Sequence, residues 1–206
     1  MITLDNIKGL SNIHNIPKQI LINKDIRLDP YLAQNLTDTP KTTIYDFDIF
    51  LKDYGVNLQR PYVWNLIQQQ EFILSILLEK PIPPVVAVEI GNNDFALGNG
   101  LRTMLVIDGK QRLMTIKRFL NNEFAVIIDG HPAYLNDFDY DAHLFFIRRI
   151  SCLTANVYYA GNNPGESWYI SDDMKIILFN FYNFAGTQQE ESHKEMLQNF
   201  LKNKHC

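Results

Sequence analysis

The alternation of apolar and polar positions along the chain predicts short strands interleaved with helices. Runs rich in β-branched residues at Val85–Ile90 and Met104–Ile107 are typical of buried strands. Apolar residues at helical spacing predict a helix over Lys110–Leu120. This helix is expected to bury three side chains, those of Leu113, Ile116 and Leu120.

A second helix is predicted to begin after Asn65 and to run through Glu79. Asparagine is a favoured N-cap residue, because its side chain accepts a backbone N–H of the first turn. The run P-I-P-P at Pro81–Pro84 ends the helix, since proline disfavours helical backbone in the residue before it. The inner face is expected to hold Leu66, Ile73, Ile76 and Leu77.

Other segments carry shorter patterns. Tyr45–Tyr54 has helical spacing and ends at Gly55, so the pattern predicts a helix there, followed by a strand over Val56–Arg60. The glycines and asparagines of Gly91–Arg102 predict an exposed loop. Two more strands and three more helices are predicted: Phe124–Ile128, Leu153–Tyr159, residues 136–150, Asp172–Tyr182 and Glu190–Lys202.

Strands that alternate with helices indicate an α/β or α+β class. Residues 1–40 show little sustained periodicity and are interpreted as an extended N-terminal arm. Residues 41–160 hold most of the predicted strands and form the expected core. Residues 161–206 are expected to be a helical C-terminal segment that packs on this core.

The composition and net charge of the chain exclude some classes of partner. The 206 residues are 46% hydrophobic, enough for one good core, and the net charge of −4 argues against a broad grip on duplex DNA. The two cysteines, Cys152 and Cys206, form no disulfide framework and are typical of a reducing compartment. No stretch reaches the roughly 18–20 apolar residues of a membrane span, and the polar N-terminus is unlike a signal peptide. We therefore expect a cytoplasmic protein.

The segment Val106–Arg112, V-I-D-G-K-Q-R, predicts a strand-to-helix turn that favours phosphate. A helix start leaves backbone N–H groups unpaired, and together with the helix dipole they attract an anion. Gly109 allows a tight bend and a close approach to a ligand. Lys110 and Arg112 add positive charge, and arginine can bind phosphate with two hydrogen bonds.

Two polar side chains of the same turn have candidate chemical roles. Asp108 can hold a magnesium-bound water or orient an attacking water, and Gln111 can do the latter. An ordinary Asp-Gly turn without a ligand is the alternative interpretation of the same residues. The turn alone does not decide between them.

Four ordered segments of the chain resemble a known family. They are Q-R-P-Y-V-W at Gln59–Trp64, S-I-L-L-E-K-P-I-P-P at Ser75–Pro84, V-I-D-G-K-Q-R-L-M-T-I at Val106–Ile116 and Y-N-F-A-G-T-Q-Q-E-E at Tyr182–Glu191. Their order and spacing are similar to those of the DGQQR-motif nucleotidase domain at the N-terminus of GmrSD-type restriction enzymes. The resemblance extends from about residue 41 to about residue 200.

The resemblance implies an α+β fold of the ParB/sulfiredoxin-like type, with a small mixed sheet, packed helices and a nucleotide-binding core over residues 41–160. It implies a nucleoside triphosphate ligand, accompanied by Mg²⁺, and no metal site built by the protein alone. Lys110 stands where the motif has its first glutamine, and Ala185 stands where the family usually has glycine. The implied catalytic residues are Asp108, Gln111 and Arg112, and the implied nucleotide-binding residues are Gln59, Arg60, Gly109, Lys110, Asn183 and Gly186.

Three functions follow from this interpretation. The first is a domain that binds and hydrolyses a nucleoside triphosphate and regulates a modification-dependent restriction system in phage defence. The second is a non-catalytic regulator or decoy, carried by a virus or mobile element, that binds a restriction or DNA-handling partner. The third is a ParB-like DNA-binding or nicking module, which the net charge disfavours.

The partners implied by these functions are a nucleotide, a nuclease or other defence component, and a second copy of the chain. The family's full-length members carry a histidine-centred HNH nuclease. The five histidines here form no H-x-x-P or H-N-H arrangement, so we expect no such nuclease in this chain.

Overall fold

The computed structural model of the chain describes residues 20–36, 39–90, 102–160 and 170–184, with only the backbone at residues 20–25, 160, 183 and 184. Five helices occur in this part of the chain: α1 (Leu32–Asn35), α2 (Leu66–Leu77), α3 (Lys110–Leu120), α4 (Tyr140–Ser151) and α5 (Asp172–Phe184). The strands are β1 (Ile20–Arg27), β2 (Thr43–Asp46), β3 (Phe50–Leu51), β4 (Val56–Asn57), β5 (Val85–Ile90), β6 (Arg102–Asp108), β7 (Val126–Ile128), β8 (His131–Ala133) and β9 (Thr154–Ala160).

Five strands form one mixed sheet in the order β1-β9-β5-β6-β2. β9 runs antiparallel to β1 and parallel to β5, whereas β6 runs antiparallel to β5 and parallel to β2. Two small antiparallel ribbons, β3-β4 and β7-β8, stand apart from the main sheet. The expected α+β class with a small mixed sheet is thus confirmed.

Both faces of the central strands are buried. Alternate residues of a strand point to opposite sides of the sheet, and here the residues on each side join an apolar cluster. Val85 and Ala87 of β5 join Val106 of β6 in the apolar cluster that includes α2, α3 and α4. Val86 of β5 and Ile107 of β6 join the cluster that includes α5 and the β3-β4 ribbon. The sheet is therefore covered by helices on both sides, and continuous apolar runs such as V-V-A-V are the sequence record of this burial.

Several elements match the predictions closely. β5 and α3 have the predicted bounds, and Asn65 caps α2 by accepting the backbone N–H of Gln68 at 3.0 Å. The inner face of α2 differs from the prediction at Leu66, which is 52% exposed, while Gln69 is buried instead. In α3 the neighbouring Phe119, and not Leu120, is fully buried.

The helix predicted over Tyr45–Tyr54 is wrong. The segment begins in β2, where Tyr45 pairs with Met104 of β6, and continues into the short β3-β4 ribbon. Gly55, with φ of +66°, lies in the turn of that ribbon. Parallel pairing with a strand nearly 60 residues later overrides the local helical spacing. The strand predicted over Val56–Arg60 is confirmed only for Val56–Asn57.

The described part of the predicted N-terminal arm is more regular than expected. Ile20–Arg27 forms β1, which pairs with β9 at the edge of the main sheet. Asp29 is buried and accepts hydrogen bonds from Asn35 and Tyr45, at 2.7 and 2.9 Å. These partners lie 6 and 16 positions away, and the pattern of apolar and polar residues did not indicate them.

The helix predicted over Asp172–Tyr182 is confirmed as α5. The predicted helix Glu190–Lys202 lies outside the described residues, as does the predicted loop Gly91–Arg102 apart from its last residue. Among the described residues no helix has the length and apolar character needed to cross a membrane.

Candidate functional site

The predicted strand-to-helix turn is present between β6 and α3. β6 ends at Asp108, and Gly109 precedes α3 with φ of +110° and ψ of +3°. L-residues rarely adopt this backbone conformation, so the turn requires glycine. A Cβ atom at position 109 would also lie 3.1 Å from Cγ2 of Val85. Both the conformation and the packing against β5 therefore select glycine here.

Within the described residues, the N-terminus of α3 has no side-chain cap, and its first turn contains no acidic residue. By contrast, α2 is capped by Asn65, and α4 is capped by Asp139, which accepts the backbone N–H of Ala142 at 2.8 Å. The first backbone N–H groups of α3 are thus left for another acceptor, and the helix dipole favours a negatively charged one.

Gln111 is buried, and its side-chain amide is occupied by the backbone of the Q-R-P-Y-V-W segment. Its Oε1 accepts the N–H groups of Val63 and Trp64, at 2.9 and 3.3 Å. Its Nε2 donates to the carbonyl oxygen of Pro61 at 3.0 Å. Gln111 therefore fastens residues 61–64 to the start of α3, a role that the sequence did not indicate.

The side chain of Gln59, in the Q-R-P-Y-V-W segment, likewise binds the backbone of β6. Its Nε2 donates to the carbonyl oxygens of Val106 and Ile107, at 2.8 and 3.1 Å, near the end of β6. Arg60 lies between the two glutamine contacts and is exposed. Within the described residues, no hydrogen bond or ion pair occupies its guanidinium. The structure thus brings Gln59 and Arg60 together with the Asp108–Arg112 turn.

Arg112 is largely buried and holds the turn to the proline run before β5. Its Nη1 donates to the carbonyl oxygen of Pro83, and its Nη2 donates to that of Pro84 at 3.4 Å. The same Nη2 pairs with Oδ2 of Asp108 at 2.7 Å. Burial lowers the pKa of Arg112, and the charge and hydrogen bond of Asp108 oppose this shift. The guanidinium is therefore committed to internal contacts.

The remaining charged residues of the turn differ in exposure. The Asp108 side chain is 40% exposed, although one of its oxygens receives Arg112. The Lys110 side chain is only 13% exposed, and its Nζ lies 3.8 Å from Oδ1 of Asp48. Asp48 also accepts Nδ2 of Asn57 at 2.8 Å. Asp48 was not predicted as a site residue, because a helix was wrongly predicted over it.

The last two predicted site residues, Asn183 and Gly186, belong to the C-terminal part of the sequence. Asn183 lies in the final turn of α5 and not in a loop, and Gly186 lies outside the described residues. No group of three or more His, Cys, Asp or Glu that could hold a metal ion occurs in the described part of the chain. The site that the structure assembles consists of Gln59–Arg60, Asp108–Arg112 and Asp48.

Such an arrangement favours a small anion with several oxygen atoms. The turn, which a glycine keeps free of a side chain, presents backbone N–H groups and the half-exposed Asp108, and the exposed Arg60 belongs to the segment that is hydrogen-bonded to it. Residues 52–205 match the family described as "GmrSD restriction endonuclease, N-terminal domain". No curated protein and no solved structure gives a significant match to the chain.

Proposed function

Because the chain belongs to the family of GmrSD restriction endonuclease N-terminal domains, we propose that it binds a nucleoside triphosphate and hydrolyses it within a restriction system. The family membership associates the chain with restriction. The identity of the ligand and the hydrolysis are the steps proposed here.

One observation carries the proposal. Gln59 and Gln111 fix the Q-R-P-Y-V-W segment against the N-terminus of α3, and Arg60, which lies between their contacts along the chain, is exposed and has no hydrogen bond or ion pair among the described residues. A structural turn needs no exposed cation at this position. A triphosphate needs both elements, since its oxygens accept hydrogen bonds from backbone N–H groups and from arginine.

The described residues also suit a metal that arrives with its ligand. Mg²⁺ is commonly bound by one or two carboxylates together with the phosphates of a substrate. Asp108 supplies one partly exposed carboxylate at the turn, which is enough for such a shared site. Bound Mg²⁺ would neutralise phosphate charge, while Arg60 and the α3 N–H groups would hold the phosphate oxygens. Asp108 would also orient the attacking water.

The contacts change the roles proposed for the other two predicted catalytic residues. Gln111 and Arg112 use their polar atoms to hold residues 61–64 and the Pro83–Pro84 carbonyls. We therefore assign both as positioning residues. Lys110, screened by Asp48, adds positive charge beneath the ligand.

The same contacts support a second candidate function. All three side chains expected to perform catalysis make internal hydrogen bonds, which is compatible with a domain that binds nucleotide without turning it over. Such a domain would act as a regulator or decoy, and its signal would pass to a nuclease or another defence component.

A thermal-shift panel of nucleoside di- and triphosphates, with and without Mg²⁺, tests the proposal. A ligand at a hundredfold excess over its Kd stabilises the native state by about 2.7 kcal/mol, which raises the melting temperature by roughly 5–11 °C for a chain of this size. No shift with any nucleotide would refute both candidates. Phosphate release by the purified chain then separates hydrolysis from binding alone.

A further inference from the structure

A pocket lies between the ends of α2 and α4 and the start of β9. Its volume is about 230 Å³, below the roughly 300–1,000 Å³ of drug-sized sites, so its occupant must be small. None of its lining residues belongs to the site at the turn. Its lining includes three apolar and three polar side chains, Ile76, Ile82, Leu153, Lys80, Arg149 and Thr154. We call it the α2–α4 pocket.

Arg149, one of the lining residues, carries a hydrogen-bond donor that has no partner among the described residues. Its Nη1 pairs with Oε1 of Glu79 at 3.0 Å. Its Nε is buried and has no hydrogen-bond partner in the described part of the chain. Buried donors without a partner are rare, and a bound water or ion is a common partner for them. A basic residue in the last turn of a helix is explained by the helix dipole, but the unpaired Nε is not.

Glu79, which pairs with Arg149, has an unfavourable backbone conformation. Its φ is +56°, and it occupies the position after α2 where glycine is preferred, with the hydrogen bond from Lys80 N to Ser75 O closing the helix end. A non-glycine residue there is strained, and an exposed ion pair returns little stability. The consequence of the pair is a guanidinium fixed beside the pocket.

The charges of the lining favour an anion. Lys80 and Arg149 contribute two positive charges and Glu79 one negative charge, so the lining is net positive. We propose that the α2–α4 pocket binds a small organic anion, a carboxylate or a phosphate ester. The anionic group meets Arg149 and Lys80, and the apolar part of the ligand lies against Ile76, Ile82 and Leu153. This site is independent of the nucleotide site proposed above.

Cys152 lines the pocket and is exposed, so its reactivity reports occupancy. In a Cys206→Ser background it is the only thiol. The rate of alkylation of Cys152 by uncharged iodoacetamide is measured with benzoate, phenyl phosphate or the neutral benzyl alcohol. We expect at least one anion to slow alkylation threefold or more at saturation, and the neutral probe to have no effect. Protection by benzoate alone or by phenyl phosphate alone identifies the preferred anionic group.

Arg149→Met and Lys80→Met should each abolish the protection, whereas Arg148→Met, an exposed change one residue earlier in α4, should retain it. If Arg149→Met does not fold, Arg149→Lys keeps the charge, lacks the Nε donor and should weaken protection at least threefold. No protection by benzoate and none by phenyl phosphate, equal protection by benzyl alcohol, or full protection in the Arg149 variants would overturn the proposal.

Discussion

Oε1 of Gln111 accepts the backbone N–H of Val63 at 2.9 Å, across 48 positions of the sequence. This bond joins two of the four segments that carry the family resemblance, and Nε2 of the same side chain completes the contact at Pro61. A glutamine that the sequence placed among the catalytic residues thus determines where the Q-R-P-Y-V-W segment lies.

Replacing Gln111 by leucine should destabilise the fold. The change leaves the N–H groups of Val63 and Trp64 and the carbonyl of Pro61 without partners, and a buried unsatisfied group costs about 1–3 kcal/mol. Urea unfolding should show a lower free energy of unfolding by about that amount. Glu71→Gln, an exposed change on α2, serves as the control and should unfold like the parent. An unchanged midpoint for Gln111→Leu would contradict the positioning role.

Gly109→Ala should be more damaging than Gly55→Ala. Both positions have positive φ, but a Cβ at Gly109 also meets Val85, whereas nothing lies within 4 Å of one at Gly55. We expect a loss of about 1–2 kcal/mol from the backbone at either site, and a further loss from crowding at Gly109. Melting temperatures of the two variants separate these contributions. Equal losses of stability in the two variants would show that β5 shifts to accommodate the added methyl group.

Arg60→Met should weaken nucleotide binding without affecting the fold. Arg60 is exposed, and a hydrogen bond to a charged group contributes about 1.5–3 kcal/mol, so its loss should raise the Kd for a triphosphate at least about tenfold. Titration calorimetry measures the Kd, and Arg148→Met, an exposed arginine on α4, controls for the change in net charge. A similar Kd in both variants would remove Arg60 from the site.

Arg112→Lys, unlike Arg60→Met, should lower the stability of the fold. Lysine keeps the charge beside Asp108 but lacks the planar fork that reaches both proline carbonyls. The expected cost is about 1–3 kcal/mol for the carbonyls left unpaired, read from urea unfolding against Arg148→Lys. Full stability together with lost hydrolysis would instead restore Arg112 to a catalytic role.

Asp172 should make stability depend on acid pH. Burial alone would raise the pKa of this carboxyl, but the hydrogen bonds from Lys175 and from the backbone N–H of Asp53, with the charge of Lys175, hold the pKa below its usual value. A group with a depressed folded pKa stabilises the protein above its unfolded pKa, about 3.9 for aspartate, and loses this contribution as the pH falls through its folded pKa.

Unfolding of the parent and of Asp172→Asn between pH 2.5 and 6 measures this contribution. The parent should be more stable at pH 6, and the difference should shrink as the pH drops below about 4. Asp141→Asn, an exposed change on α4, is the control. A difference that stays constant over this range would show that Asp172 acts by packing and not by its charge.

Local chemistry in the sequence determined the elements on either side of the candidate site. Asn65 sets the start of α2, the proline run ends it, and Gly109 separates β6 from α3, because caps and breakers act within a few residues. The continuous apolar run of β5 correctly indicated that the strand is buried, because a strand covered on both faces needs apolar residues at successive positions. The order of the motif segments was sufficient to indicate the family.

Only the tertiary structure decided what the polar side chains of the motif do. Gln59, Gln111 and Arg112 are bound to backbone groups 28 to 50 positions away, and no local pattern predicts such partners. β2 became a strand because β6 offers it a parallel edge, although its own spacing indicated a helix. Pairing between remote segments thus overrode local periodicity. Likewise, only the tertiary structure shows that Arg60, one of the basic residues of the motif segments, faces solvent.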